Sequence, residues 1–88
     1  MEEDEWYVYL LECQDGTLYT GIAKDVERRI RQHEEGAGAR YTRGRGPFRL
    51  LATAGPLSQG EALQCERSVK RVRRADKLEY MMMHSRRR

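Results

Sequence analysis

Tyr7-Val8-Tyr9 and Tyr19-Thr20-Gly21 sit ten residues apart near the start of an 88-residue chain, and Arg29 follows ten residues after the second triplet. Each triplet falls in a strand-like run and a turn joins the two, so phenols from adjacent strands stand beside a guanidinium. A guanidinium presents a fork of donors that matches phosphate oxygens. A phenol can orient or deprotonate water if its neighbours help it, since its ordinary pKa is near 10. Together these groups suit the holding and attack of a phosphate ester. Two further residues belong with them. Glu66 falls near the middle of the apolar face of a later helix, where a lone carboxylate costs several kcal/mol unless a cation ligand or an arginine pairs with it. His33 points inward with Arg29 from an earlier helix, a place where a histidine is more often a satisfied core residue than a base.

The elements that must position these side chains are legible locally. Residues 6–13 are rich in aromatic and apolar types on both faces, the pattern of a central strand covered on both sides. Gln14-Asp15-Gly16 is a hairpin turn, and residues 17–22 form the returning strand. Gly21 within it marks a bulge or the close approach of another group. Asp25 caps a helix over about 26–35, in which Val26, Arg29, Ile30 and His33 share one arc while Arg28, Arg31, Gln32 and Glu35 fall on the other side. Gly36-Ala37-Gly38 ends that helix.

Residues 39–47 form a basic loop whose Arg40, Tyr41, Arg43 and Arg45 suit phosphate contacts and base stacking. A third strand runs from Phe48 to Ala54 and stops at Gly55-Pro56. Ser58-Gln59-Gly60-Glu61 is a capping box that opens a helix running to about Arg74, with Ala62, Glu66, Val69 and Arg73 on one arc. Asp76 caps a short last helix over about 77–83. Its Met81-Met82-Met83 run fills the core or meets another chain, and Ser85-Arg86-Arg87-Arg88 is a frayed basic tail.

Composition narrows the function classes. The chain is long enough for one small α+β domain, residues 1–88 with a core over about 6–75. It has no apolar run near the roughly 18 residues that span a bilayer, and its acidic N-terminus is unlike a secretory signal, so the expectation is a cytoplasmic protein with no membrane association. Cys13 and Cys65 suit reduced core thiols, with no second ligand at zinc spacing. Residues 1–35 carry four Lys/Arg against ten Asp/Glu, a balance of −6, whereas residues 36–88 carry thirteen against four, a balance of +9. That asymmetry is expected of a chain whose second half faces a polyanion.

Taken in order, these motifs resemble the GIY-YIG nuclease family. Tyr7-Val8-Tyr9 is similar to its first motif and Tyr19-Thr20-Gly21 to its second. The run Gly21 to Arg29 resembles the approach to its essential arginine, and Ala62 to Glu66 the approach to its metal-binding glutamate. The loop Tyr41 to Phe48 resembles the small stand-alone bacterial members, the YhbQ-like group, and the catalytic subunit of a eukaryotic structure-specific endonuclease. The chain departs from the family pattern at Tyr7 and Thr20, both read as turning away from the Tyr9 phenol, and it contains no asparagine.

The resemblance implies a three-stranded antiparallel sheet flanked by helices, in the order β-β-α-β-α-α. It also implies hydrolysis of DNA phosphodiesters, at branched or damaged structures, with one Mg²⁺ or Mn²⁺ ion. Glu66 would ligate the metal and Arg29 would hold the scissile phosphate. Tyr9, with Tyr19 beside it, would act as or position the general base, and His33 would serve as a base or phosphate contact. Lys24, Arg40, Tyr41, Arg43, Arg45, Lys70 and Arg73 are the expected nucleic-acid contacts. Two other readings stand beside this one. The first is a nuclease-like module that binds nucleic acid with little or no cleavage. The second is an interaction protein that meets a partner, or weakly a second copy, through its methionines.

Overall fold

The computed structural model describes residues 4–38 and 40–85. The tip of the acidic N-terminus (1–3) and the arginines of the expected basic tail (86–88) lie outside the described residues. The chain forms β1 (Trp6–Glu12), β2 (Leu18–Ala23), α1 (Val26–Glu34), a 3₁₀ turn (Arg40–Thr42), β3 (Arg49–Leu57), α2 (Gln59–Arg71) and α3 (Arg74–Ser85). The strands make one antiparallel sheet in the order β2-β1-β3, an α+β architecture.

Alternation along β1 divides the interior into two layers. Val8 and Leu10 pack on Ala54 of β3, on Ala62, Cys65 and Val69 of α2, and on Met81 of α3. Tyr9 and Leu11 face the opposite way, toward Val26 and Ile30 of α1 and Phe48. The chemistry-bearing phenol is thus held by a strand buried on both faces. Thr20 pairs across the sheet with Leu10, away from Tyr9, as expected. Tyr7 does not turn away: it pairs with Ala23 in the ladder that pairs Tyr9 with Gly21, so it shares the side of Tyr9, and its ring edge lies beside Gly55.

The largest boundary differences from the sequence expectation fall at the end of β3 and at the α2–α3 junction. β3 continues through Gly55-Pro56 to Leu57. Pro56 is exposed on an edge strand, where no ladder hydrogen bond is lost, and a register shift opposite Trp6–Val8 absorbs the irregularity. Gly55 has φ +137°, and a side chain there would run into the Trp6 carbonyl. α2 ends at Arg71 and α3 begins at Arg74, so Asp76 lies within the first turn of α3 instead of capping a later helix. Lys77 reaches back to donate to the Val69 carbonyl at 2.7 Å, which supplies a partner at the end of α2 and lets the next helix start at once.

The capping box is present in full, with Ser58 Oγ accepting from the Glu61 amide and Glu61 from the Ser58 amide. Cys13 and Cys65 are buried thiols. Of the three consecutive methionines, Met81 is buried while Met82 and Met83 are exposed. No helix among the described residues is long and apolar enough to cross a membrane.

Candidate active site

Tyr9 leaves the middle of β1 and Tyr19 the start of β2, and their rings meet with centroids 6.3 Å apart. The Tyr9 ring crosses β2 directly over its ladder partner Gly21. A Cβ at Gly21 would lie 2.5 Å from Tyr9 Oη and 2.7 Å from Cζ. The glycine therefore clears space for the phenol. Gly21→Ala is expected to push Tyr9 out of position and to cost about 1–3 kcal/mol in denaturant unfolding. Wild-type stability with an unshifted Tyr9 resonance would refute this account of the glycine.

α1 brings Arg29 and His33 to the same place. Asp25 caps its N-terminus by accepting from the Arg28 amide at 3.1 Å. The arc anticipated from periodicity turns inward, with His33 only 2% exposed. The His33 ring bridges two elements distant in sequence. Its Nε2 lies 2.9 Å from Tyr9 Oη, and its Nδ1 lies 2.8 Å from Thr42 Oγ1. Tyr19 and Phe48 pack edge-on against the ring, and Gly38 lies so close to Nδ1 that no side chain fits there. Arg29 is half-buried and donates from Nη1 to Gln32 Oε1 at 2.8 Å. Gln32 was placed on the solvent side by the sequence reading; it orients the guanidinium instead.

Electrostatics separate the two titratable partners. Burial, with the neighbouring Tyr19 phenol, pushes the Tyr9 pKa up to about 12, although Arg29 pulls it down; the Glu66 charge adds to the rise. Burial first, and the Arg29 charge second, hold the His33 pKa below its ordinary value. Near neutral pH the phenol keeps its proton and the imidazole is uncharged.

Glu66 acts on the Tyr9 phenol from α2. Its side chain is 19% exposed, and Lys70, one turn on, approaches to 3.1 Å. Among the described residues no group of three or more metal-ligating side chains occurs, so no closed protein cage is built. A single partly exposed carboxylate is the donor set of a hard cation such as Mg²⁺, which keeps most of its waters and takes phosphate oxygens. The residues fit an ion of that class.

The cations of the basic loop differ in their surroundings. Arg40 and Arg43 are exposed. Arg45 instead binds Asp15 Oδ2 at 2.5 Å and the Tyr41 carbonyl at 2.7 Å. Its guanidinium lies 4.5 Å from the centroid of the Tyr41 ring, which stacks on Tyr19 at 5.8 Å. Asp15 also accepts from the Thr17 hydroxyl and amide, and chiefly these bonds lower its pKa. Tyr41 and Arg45 thus hold the loop against the β1–β2 hairpin.

Lys24 lies 5.5 Å from the centroid of the Trp6 ring, and Arg73 is 89% exposed with Asp76 at 3.6 Å. A cleft of about 600 Å³ lined by His33, Glu34, Glu35, Gly36, Gly44, Gly46 and Pro47 opens beside the site. Its acidic rim does not suit a phosphate. Thr42 had no signal in the sequence: a threonine between Tyr41 and Arg43 in a basic loop gives no sign of burial, yet it is buried.

Comparison with known proteins bears on this geometry. Residues 5–79 match the family model of the GIY-YIG catalytic domain. The chain is 56% identical over 71 residues to UPF0213 protein BH0048 of Halalkalibacterium halodurans, covering 81% of this chain and 76% of that one. It is 49% identical over 78 residues to UPF0213 protein Reut_B5558 of Cupriavidus pinatubonensis, covering 89% and 87%. The solution NMR structure of protein EF2693 from E. faecalis superposes with a TM-score of 0.62 at 35% identity, over 94% of this chain and 90% of that one. With its phenols and guanidinium drawn together around a β2-β1-β3 sheet, and with this match over nearly its whole length, the chain belongs to the GIY-YIG catalytic domain family, alongside the UPF0213 proteins.

Proposed function

We propose that this protein is an endonuclease that hydrolyses DNA phosphodiester bonds, at branched or damaged structures, with one Mg²⁺ or Mn²⁺ ion held by Glu66. The observation that carries the reading is the buried Tyr9–His33 hydrogen bond beside Arg29, with the Glu66 charge felt at the same phenol. The ion, when bound, offsets charge on the phosphate and makes water more acidic. Arg29 holds the scissile phosphate and stabilises charge that grows in the transition state.

Tyr9 and His33 move the proton together. A free phenolate is costly at a pKa of about 12, and a buried imidazolium is costly beside Arg29. Tyr9 Oη takes a proton from the attacking water only as it passes its own to His33 Nε2, so no free phenolate forms; the imidazolium is transient, and its proton returns through Tyr9 to solvent once the water oxygen has bonded to phosphorus. The water oxygen bonds to phosphorus, the ester bond breaks, and the departing oxygen is protonated from solvent. Arg40, Arg43, Lys24, Lys70 and Arg73 line the approach to the DNA backbone, while Tyr41 and Arg45 set the loop that carries two of them.

Purified protein is incubated with nicked, branched and plain duplexes in Mg²⁺ or Mn²⁺. Metal-dependent cuts, favouring branched substrates, are expected. Salt-sensitive binding with no cutting of any substrate would replace this reading with that of a binding module. The pH profile is a second check. Neutral His33 is the active form and its pKa is lowered, so the rate should fall only as pH drops below about 6.5. Tyr9 should impose no alkaline limb near pH 10, because its proton is held until about 12. An acid limb above pH 7, or loss of rate at pH 9–10 from tyrosine ionisation, would count against the relay.

A further inference from the structure

We propose that Thr42 is a positioning residue: its hydroxyl holds the His33 proton on Nδ1, which leaves Nε2 open to receive the proton of Tyr9. The hydrogen-bond chain Tyr9–His33–Thr42 is closed at 2.9 and 2.8 Å, and its members are 1%, 2% and 1% exposed. A neutral imidazole carries one N–H and one acceptor nitrogen, and its second partner decides which is which. The groups facing the pair are Tyr9 from β1, Tyr19 from β2, and Arg29 from α1. Arg29 has only donors to offer the phenol oxygen. The phenol's own proton therefore points to His33 Nε2. Nε2 is then the acceptor, Nδ1 carries the hydrogen, and Thr42 Oγ1 accepts it.

The surroundings keep the ring in that pose. Phe48 and Tyr19 pack edge-on against it, and Gly38 lies so close to Nδ1 that only a glycine fits there. Thr42 ends the 3₁₀ turn that begins at Arg40, and Arg43 follows it. The loop expected to touch nucleic acid is therefore also the loop that orients the histidine. The tautomer assignment rests on the two ring hydrogen bonds and on Arg29 beside the phenol; its consequence for cleavage rests on the nuclease reading.

The test uses the ¹⁵N-labelled 88-residue chain, with His84→Gln to assign the signals. Protonated and unprotonated ring nitrogens have well-separated ¹⁵N shifts. The wild type and Thr42→Ser should carry the His33 proton on Nδ1, and Thr42→Val should lose that preference. Single-turnover cleavage should fall about 10–100-fold in Thr42→Val and recover in Thr42→Ser. A wild-type proton on Nε2 would overturn the proposal, as would a Thr42→Val protein with unchanged tautomer. If Thr42→Val does not fold, the wild-type and Thr42→Ser spectra decide it alone. The expected tautomers in a protein that cuts no substrate would sustain the role of Thr42 and reject the nuclease reading.

Discussion

Arg29→Ala is expected to slow single-turnover DNA cleavage by about 10²–10³-fold, the usual consequence of removing one preorganised donor to a transition-state oxygen. Its guanidinium is half-buried, so solvent only partly screens it, and Gln32 Oε1 fixes one Nη at 2.8 Å. The lost bond to Gln32 should cost only about 1 kcal/mol of stability, since Gln32 can turn to water. Arg29→Lys should recover little of the rate, because an ammonium is a point charge without the planar fork.

A second readout separates an electrostatic role from a structural one. The Arg29 charge depresses the His33 pKa, so the acid limb of the pH profile should move upward in Arg29→Ala. Cleavage within about threefold of wild type, or an unmoved acid limb, would show that Arg29 does not act at this site.

Glu66→Gln should have an effect of the same order. The amide keeps the size of the side chain and removes its charge. If Glu66 holds the cation, metal-dependent cleavage should drop by at least about 10²-fold, which corresponds to several kcal/mol of transition-state stabilisation. Fold stability should hardly change, since an i,i+4 Glu–Lys pair with Lys70 half exposed is worth about 0.3–0.5 kcal/mol.

DNA binding supplies the control. Freed from Glu66, Lys70 turns to the polyanion, so affinity for a duplex should hold or rise while cutting fails. The same experiment measures Mn²⁺ affinity, which should weaken. A Glu66→Gln protein that cuts at the wild-type rate would remove the carboxylate from the mechanism. One that binds neither DNA nor metal, with an altered melting temperature, would point to a structural role.

Both variants probe a site whose members are drawn from four separate elements. Tyr9 comes from β1, Tyr19 from β2, Arg29 and His33 from α1, and Glu66 from α2. The buried core near them is small, and two of its polar members, His33 and Thr42, satisfy one another. Such a network rigidifies a site only while each member is present. This is why Gly21→Ala and Thr42→Val, neither of which is placed against the substrate, are expected to act through Tyr9 and His33.

What the sequence determined by itself was everything governed by short-range periodicity and capping. The two-faced pattern of residues 6–13, the Asp15-Gly16 turn, the inward arc of Arg29 and His33, and the Ser58–Glu61 box all depend on neighbours within a few residues. Four motifs in order were enough to reveal the family. Local signals misled at Gly55-Pro56, because a breaker tells nothing of whether its strand is at an edge, where proline is tolerated.

Tertiary structure alone decided the partners. Tyr9 and His33 are 24 residues apart, and Arg45 and Asp15 are 30 apart. Glu66 is near enough to raise the Tyr9 pKa only because α2 docks on the sheet. No spacing rule encodes those meetings, since each depends on how whole elements pack. For the same reason a threonine in a basic loop became the inner end of a hydrogen-bond chain, and one loop arginine took an acidic partner thirty residues away.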